Sequence, residues 1–395
     1  MTSANWWPYL LILLVISLIA RVYPLAAIAV ILILISFVAQ SWSRRALQQV
    51  TYQRKSIYDR GFPGETLIMS VIAENRKFLP IPWLRVIDLI PEAVGPQDER
   101  LLQITHLPEI GALVNLYSLR WFERDRRNYV MLLRKRGIYR LGPTALEAGD
   151  IFGLFENRRD EENYDYLTVF PEPLDFDVLE LPTSDPFGEQ RARRRLYEDP
   201  NLIMGVRAYQ PEDDFRRVHW PATARTGELQ VKVYQPVSAR VMVICLNVMT
   251  MPHYWEGANP ALLEYLTRVA AAIAQRALAD GYRVGLIANT CLSHADQPFR
   301  VPPGRSPEQL ARLLTALAGA TLFVTSTFDS FLLHESPRLP YGATLVLITG
   351  QTSQELREAA LRLRQRERRI VLLSFDERKP LSIPGVTLIH RPFIP

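Results

Sequence analysis

The sequence predicts a multidomain chain: an N-terminal transmembrane helical hairpin, an immunoglobulin-like β-sandwich, and a C-terminal doubly wound α/β domain. Three observations predict it. Two apolar runs open the chain, from Trp6 to Ala20 and from Leu25 to Ala39. Short β-rich segments punctuated by Gly and Pro follow. Beyond Val237, continuous apolar segments alternate with segments of helical period. The expected boundaries are 1–45 for the hairpin, 46–175 for the sandwich, 176–237 for a connecting segment and 238–395 for the α/β domain.

A bilayer core takes about 20 helical residues at about 1.5 Å each, and residues 4–22 and 24–42 each supply that length. No Lys or Arg precedes Trp6, so the basic start of a cleaved signal peptide is missing. Tyr23-Pro24 divides the apolar stretch into two helices, because the residue before a proline resists the helical conformation. Arg44, Arg45, Arg54 and Lys55 follow the second run, whereas the turn between the runs carries only Arg21. The positive-inside bias then expects a two-pass protein of the cell membrane, with both termini and the soluble domains in the cytoplasm. Trp6, Trp7 and Trp42 would share the cytoplasmic interface, with Tyr23 at the opposite one.

In the sandwich region, residues 66–73, 84–90, 112–119, 129–134 and 166–170 are expected strands, bounded by Gly61, Gly64, Pro80, Pro82 and Pro91. The basic stretch from Arg134 to Pro143 reads as a solvated strand face and a turn. Gly149-Asp150-Ile151-Phe152-Gly153-Leu154-Phe155 reads as a turn that carries two aromatics into a core, with a related Asp185-Pro186-Phe187-Gly188 downstream.

In the α/β region the apolar run from Ala239 to Val248 predicts a strand buried on both faces. Asn259-Pro260 opens a helix whose stripe is Leu262, Leu266, Val269, Ile273 and Ala277, and Gly281 ends it. Residues 282–288 form the next strand. Ser306 to Gln309 reads as a capping box, with Gly319 as the stop. Strands at 344–349, 370–375 and 386–390 follow, the first two separated by a helix that Thr352 and Glu355 cap. Parallel neighbours need such helical crossovers, and the ligand crevice of these sheets lies beyond the carboxyl ends of the strands. The loop to watch is Cys245-Leu246-Asn247-Val248-Met249-Thr250-Met251.

Composition narrows the function classes. Lys plus Arg total 46 against 41 acidic residues, a net charge of +5 over 395 residues, too small an excess for a dedicated nucleic-acid binder. Two cysteines, Cys245 and Cys291, make neither a disulfide framework nor a thiolate cluster. Cys291 with His294 reads as structural rather than as nucleophile and base. The chain contains no phosphate-binding Gly-x4-Gly-Lys-Ser/Thr loop, no Gly-x-Gly-x-x-Gly, no His-Glu-x-x-His and no Gly-x-Ser-x-Gly. No cofactor, metal or small-molecule ligand is expected, and no enzymatic activity.

One dense constellation remains. Between Gly205 and Arg225 stand Asp213, Asp214, Arg216, Arg217, His219 and Arg225, with Arg191, Arg193, Arg194 and Arg195 upstream. Guanidinium and carboxylate groups at this density bind an anion or an acidic partner, or form a buried ion-pair clasp with Tyr209 and Trp220 packed beneath it. An enzyme built on His219, Asp213, Asp214 and the arginines is the alternative of a different class.

These residues resemble the signature of the domain of unknown function 58 family. Gly205, Arg207, Tyr209, Asp213, Arg217, His219, Trp220, Ala224, Arg225, Leu229, Val231 and Lys232 fit its pattern, with Glu212 in place of Gly and Val218 in place of Ile. Arg136-Gly137 to Gly142-Pro143 and Asp150 to Phe155 are similar to its upstream motifs, with Ile151 in place of Pro. The resemblance implies a membrane-anchored protein with a β-sandwich and a C-terminal domain similar to the von Willebrand factor A type. It implies a non-enzymatic adaptor for a MoxR-type AAA+ ATPase, acting in assembly or maturation of other proteins. Mg²⁺-binding A-type domains carry Asp-x-Ser-x-Ser after the first strand; here Asn247, Met249 and Met251 stand there. A neutral amide and two thioethers are poor Mg²⁺ ligands, so any partner contact is expected to be metal-independent. An extracytoplasmic adhesion or envelope protein is the third reading, and it requires the hairpin to be inverted.

Overall fold

The structure is a computed structural model that describes residues 7–175, 197–211, 213–237, 241–252, 256–292 and 298–393. The chain divides into two units, Met1–Phe170 and Pro171–Pro395.

The first unit opens with α1 (Trp7–Ile19) and α2 (Tyr23–Ala46), packed on one another. Pro24 lies in the first turn of α2, where its missing N–H breaks no helical bond. The small residues Ser17, Ala26, Ala29 and Ser36 are buried, while Leu11, Ile12, Val15, Ile16, Ile28, Ile31, Leu34 and Phe37 are exposed. Small inside and large apolar outside inverts the pattern of a helix pair in water and matches one in lipid. The 24 residues of α2 are long and apolar enough to cross a membrane. The 13 residues of α1 span about 20 Å at about 1.5 Å per residue, short of a bilayer core.

The strands of this unit are β1 (Val50–Ser56), β2 (Arg60–Gly61), β3 (Thr66–Asn75), β4 (Ile81–Pro91), β5 (Leu102–Ile104), β6 (Ile110–Leu119), β7 (Arg124–Leu132), β8 (Gly137–Leu141), β9 (Thr144–Gly149), β10 (Glu156–Glu161) and β11 (Asp165–Val169). They form sheets of order β1-β3-β7, β10-β9-β4-β6-β5 and β2-β11-β8. Tyr52, Met69, Val71 and Met131 share one apolar core with Leu84, Val86, Leu113, Leu119 and Leu146 of the five-stranded sheet. The five expected strands correspond to β3, β4, β6, β7 and β11. β1 and β10 escaped the pattern because they are strongly polar, reading Gln53-Arg54-Lys55 and Arg158-Arg159-Asp160.

One turn departs from expectation. Phe155 is buried, but Ile151, Phe152 and Leu154 are exposed. The buried Asp150 carboxylate accepts the N–H of Phe152 at 2.7 Å and of Phe155 at 2.6 Å, which folds the turn so that only its last aromatic re-enters the core. Asp185 to Gly188 lie outside the described residues. In the basic stretch, Arg134 donates to the carbonyls of Glu92 at 3.0 Å and Pro96 at 2.9 Å, so this guanidinium braces a loop.

The second unit contains β12 (Tyr197–Ala208), α3 (Trp220–Thr226), β13 (Gln230–Val237), β14 (Val241–Leu246), α4 (Pro260–Ala279), β15 (Arg283–Leu292), β16 (Pro298–Gly304), α5 (Gln309–Ala318), β17 (Ala320–Val324), α6 (Phe328–Glu335), β18 (Thr344–Thr349), α7 (Gln354–Gln365), β19 (Arg369–Ser374) and β20 (Thr387–His390). β12 and β13 make an antiparallel ribbon. The larger sheet runs β16-β15-β14-β18-β19-β20, parallel except for the antiparallel edge strand β16, with β17 antiparallel on β15. Val241, Val243 and Cys245 pack with Phe328 and Leu332 of α6 and Leu356, Ala360 and Leu363 of α7. The alternate residues Met242, Ile244 and Leu246 are equally buried, toward the face where α4 contacts the sheet and α5 contacts α4. Both faces are covered, as an all-apolar parallel strand requires.

Asn259 caps α4 as expected, accepting the Leu262 N–H at 3.1 Å. The capping box at Ser306 does not form: Gln309 is buried and donates to Val284 O at 2.8 Å and Pro302 O at 3.0 Å, so it cannot reach back. At α7 the cap is Ser353, accepting the Leu356 N–H at 3.2 Å, while the Thr352 N–H donates to Asp376 at 3.0 Å. β16 was hidden by Pro298, Pro302 and Pro303, which an edge strand tolerates.

Candidate functional site

The dense constellation forms the loop of the β12–β13 ribbon. Its backbone is laid onto β13 by three bonds: Tyr209 N–H to Leu229 O at 2.9 Å, His219 N–H to Gln230 O at 2.7 Å, and Gln230 N–H to Thr223 Oγ1 at 3.0 Å. Val218 bridges to Val231, and both are buried. That contact pins the middle of the loop.

Polar side chains then organise the rest. Asp213 accepts two bonds from the Arg207 guanidinium, at 2.6 and 2.5 Å, and the Gln210 N–H at 2.8 Å. These donors hold the Asp213 carboxyl below the usual aspartate range, the Arg207 bond contributing most. Asp214 accepts the Arg216 N–H at 3.0 Å and starts the helical turn Phe215–Arg217. His219 Nδ1 accepts the Ala222 N–H at 3.0 Å and so caps α3. Gly227 ends that helix at φ 74°, a left-handed value that costs glycine nothing.

With the backbone satisfied, the apolar and cationic groups face out. Phe215 is 56% exposed and Trp220 60%. Tyr209, Phe215 and Trp220 form an edge-to-face ladder with centroids 6.1 and 6.0 Å apart. Arg216, Arg217 and Arg225 are exposed, and Lys232 is half-buried on β13. Among the described residues neither Arg216 nor Arg225 has a carboxylate at ion-pair distance.

Among the described residues these side chains make no buried ion-pair clasp. The Arg207–Asp213 pair lies at the surface, and Trp220 is itself exposed. Among the described residues the buried apolar anchor of the loop is Val218 on Val231, while Phe215 and Trp220 stay exposed. Arg191, Arg193, Arg194, Arg195 and Glu212 lie outside the described residues. Phe215 is not among the residues the motif points to, although an aromatic between Asp213-Asp214 and Arg216-Arg217 is poorly placed for a core. His219 does not suit general-base chemistry in this arrangement: with Nδ1 accepting a backbone N–H, the ring proton of the neutral form sits on Nε2.

The loop after β14 is a different place. Asn247 is buried; its Nδ2 donates to Thr349 Oγ1 at 2.9 Å, and its Oδ1 accepts Met249 N–H and Asn289 Nδ2, each at 3.0 Å. Asn289 Oδ1 in turn accepts the Val248 N–H at 2.9 Å. Neutral amides thus satisfy one another at the end of β14. Met249 and Met251 add only half-buried thioethers. A cavity of about 260 Å³ opens beside them, lined by Asn247, Met249, Phe328, Asp329, Thr352 and Glu355. Among the described residues no three His, Cys, Asp or Glu side chains gather as metal ligands. Burial pushes the Cys245 thiol well above its usual range, which removes it as a nucleophile.

Residues 205–389 match the family model described as protein of unknown function DUF58. A Bacillus subtilis protein described as uncharacterized protein YeaD is 23% identical over 226 residues, covering 56% of this chain and 52% of that one. The match spans about half the length of that curated relative. Among solved structures, a CARDB domain from Pyrococcus furiosus in complex with di-metal ions is 14% identical at TM-score 0.21, covering 30% of this chain and 91% of that one. A Clostridium perfringens cohesin module is 13% identical at TM-score 0.22, covering 30% and 96%. Likenesses at these scores carry no argument.

Proposed function

We propose that this chain, whose residues 205–389 match the model of the DUF58 family of proteins of unknown function, is a membrane-anchored, non-enzymatic adaptor. The ribbon loop docks a cytoplasmic protein partner, a MoxR-type AAA+ ATPase. The observation that carries this reading is the Tyr209–Phe215–Trp220 ladder, exposed and rigidly backed, with Arg216 and Arg225 beside it. Trp, Tyr and Arg are the residues that dominate binding hot spots. Their mixture suits a partner surface that offers carboxylates around an apolar centre.

The same proposal reads the two folded regions as an immunoglobulin-like sandwich and a von Willebrand factor A-like domain. Counting from β14 along the chain and setting β17 aside, the sheet order is 3-2-1-4-5-6 with the third strand antiparallel, which supports the second assignment. It also takes α1 and α2 as a two-pass hairpin with both soluble regions in the cytoplasm, on the basic residues that follow α2. The Nδ1 bond of His219 to Ala222 argues against the enzymatic alternative.

A photo-crosslinking residue placed at Phe215 or Trp220 of the full chain in cells tests the docking surface. The expected product is an adduct with an AAA+ ATPase, and the Phe215 adduct is lost or reduced at least tenfold on combining Trp220→Ala with Arg225→Ala. Adducts at neither position, or capture unchanged by the double substitution, would refute the reading.

A further inference from the structure

Strand register fixes which loops share one end of the first unit. Val50 pairs with Asn75, Glu74 with Arg124, Ile81 with Leu119, Leu84 with Ala148, and Gly149 with Glu156. The α2–β1 linker, the β3–β4 loop, the β6–β7 turn and the β9–β10 turn are therefore neighbours. Three of them carry large apolar side chains into solvent: Phe78 is 79% exposed, Trp121 63%, Phe122 56%, Ile151 60%, Phe152 57% and Leu154 50%.

This is also the end at which α2 arrives. Lys77 Nζ donates to Ala46 O at 2.6 Å and Gln48 O at 2.7 Å, and Arg76 N–H donates to Gln49 O at 3.0 Å. Arg159 donates to Leu47 O and Val50 O, each at 2.7 Å. The apolar tips are built, not loose. Phe78 and Phe122 meet edge to face at 4.8 Å. Asn75 Nδ2 ties their two loops together through Leu79 O at 3.0 Å and Arg120 O at 2.8 Å. Asp150 holds the third tip through two backbone N–H groups. Exposed Arg44, Arg45 and Arg120 lie at the same level.

We propose that this end of the unit is a second membrane contact, in which Phe78, Trp121, Phe122, Ile151 and Phe152 seat in the headgroup boundary of the leaflet from which α2 emerges. The inference rests on reading α2 as membrane-spanning, and continuity with that span identifies lipid as the occupant. From Trp42, the last aromatic of α2, to Ala46 is about 6 Å along a helix, so loops bonded to residues 46–49 stand within side-chain reach of the interface. Aromatic side chains favour that zone, and cations beside them favour anionic headgroups. Such a contact fixes the tilt of the sandwich on the membrane.

The test uses the full chain carrying Cys245→Ala and Cys291→Ala, reconstituted in vesicles of phosphatidylcholine and phosphatidylglycerol. A polarity-sensitive fluorophore is attached at Phe122→Cys, at Phe152→Cys, or at Ile104→Cys, which is 98% exposed at the opposite end. The expected result is blue-shifted emission and at least twofold stronger quenching by shallow spin-labelled lipid at 122 and 152 than at 104. Equal quenching at all three sites, in a chain that resists alkaline carbonate extraction, overturns the contact while leaving the α2 reading standing. Release of the chain by carbonate overturns the α2 reading and the contact together.

Discussion

Arg54 and Asp88 show what a buried charge demands of its neighbours. Arg54 reaches Asp88 Oδ1 at 2.5 Å, Asp165 Oδ2 at 2.7 Å and Thr144 Oγ1 at 2.9 Å, and it also donates to Asn163 O. Tyr52 donates its hydroxyl to Asp88 Oδ2 at 3.0 Å, and burial first, then the Asp88 charge, pushes that phenol well above its usual range. Asp88→Ala strands the guanidinium without its buried counter-ion, and the expected loss is about 3–5 kcal/mol. Asp88→Asn, which keeps an acceptor, is expected to cost less. Urea denaturation of the two variants checks this: equal losses would mean that the charge of Asp88 contributes nothing. None of this was legible beforehand. In the sequence Arg54 is one basic residue among four, since its side-chain partners lie 34, 90 and 111 residues away. The ribbon loop was easier to find, because Asp213, Arg207 and His219 bond within a few residues of themselves.

Elements with one strong period were read well, and elements defined by their setting were not. The wholly apolar β14, the apolar centre of β18 and the striped α4 announce themselves, whereas the polar β10 is a strand only because β9 offers it a ladder. The end of α2 belongs to the second kind. The carbonyls of Ala46 and of Leu47 just after it are satisfied by Lys77 of the β3–β4 loop and Arg159 of β10 rather than by cations of its own last turn. Burial, and then the Arg159 charge, push the Lys77 ammonium down to about 8 from its ordinary 10.5. A folded-state value below the unfolded one means that the unfolded chain binds more protons between the two. Stability is therefore gained as pH rises from about 8 to about 10.5, and the charged form opposes folding below that window. The urea midpoint of the wild-type chain is expected to improve across this range relative to Lys77→Met, which lacks the titrating group. Parallel pH profiles for the two proteins would show that Lys77 does not report on the helix end.

At the scale of the whole chain, the change of period near residue 50 and the onset of strand–helix alternation near residue 240 separate the first unit's sheets from the parallel sheet. What period could not show is how the ribbon loop would face, since the exposure of the apolar Phe215 and Trp220 is set by tertiary surroundings and not by spacing. Each unit is stabilised by a core of its own. Leu84 and Val86 belong to the first, Val243 and Leu347 to the second. Apolar burial is the main favourable term in folding, so two cores imply two cooperative transitions. Leu84→Ala removes methyl groups from a fully buried site in one core, and Leu347→Ala does the same in the other. Each is expected to cost about 2–5 kcal/mol and to move one transition while leaving the other in place. Calorimetry of the reconstituted full chain, with trypsin cleavage to assign each transition, makes the measurement. A single transition shifted equally by both substitutions would mean that the chain folds as one cooperative body.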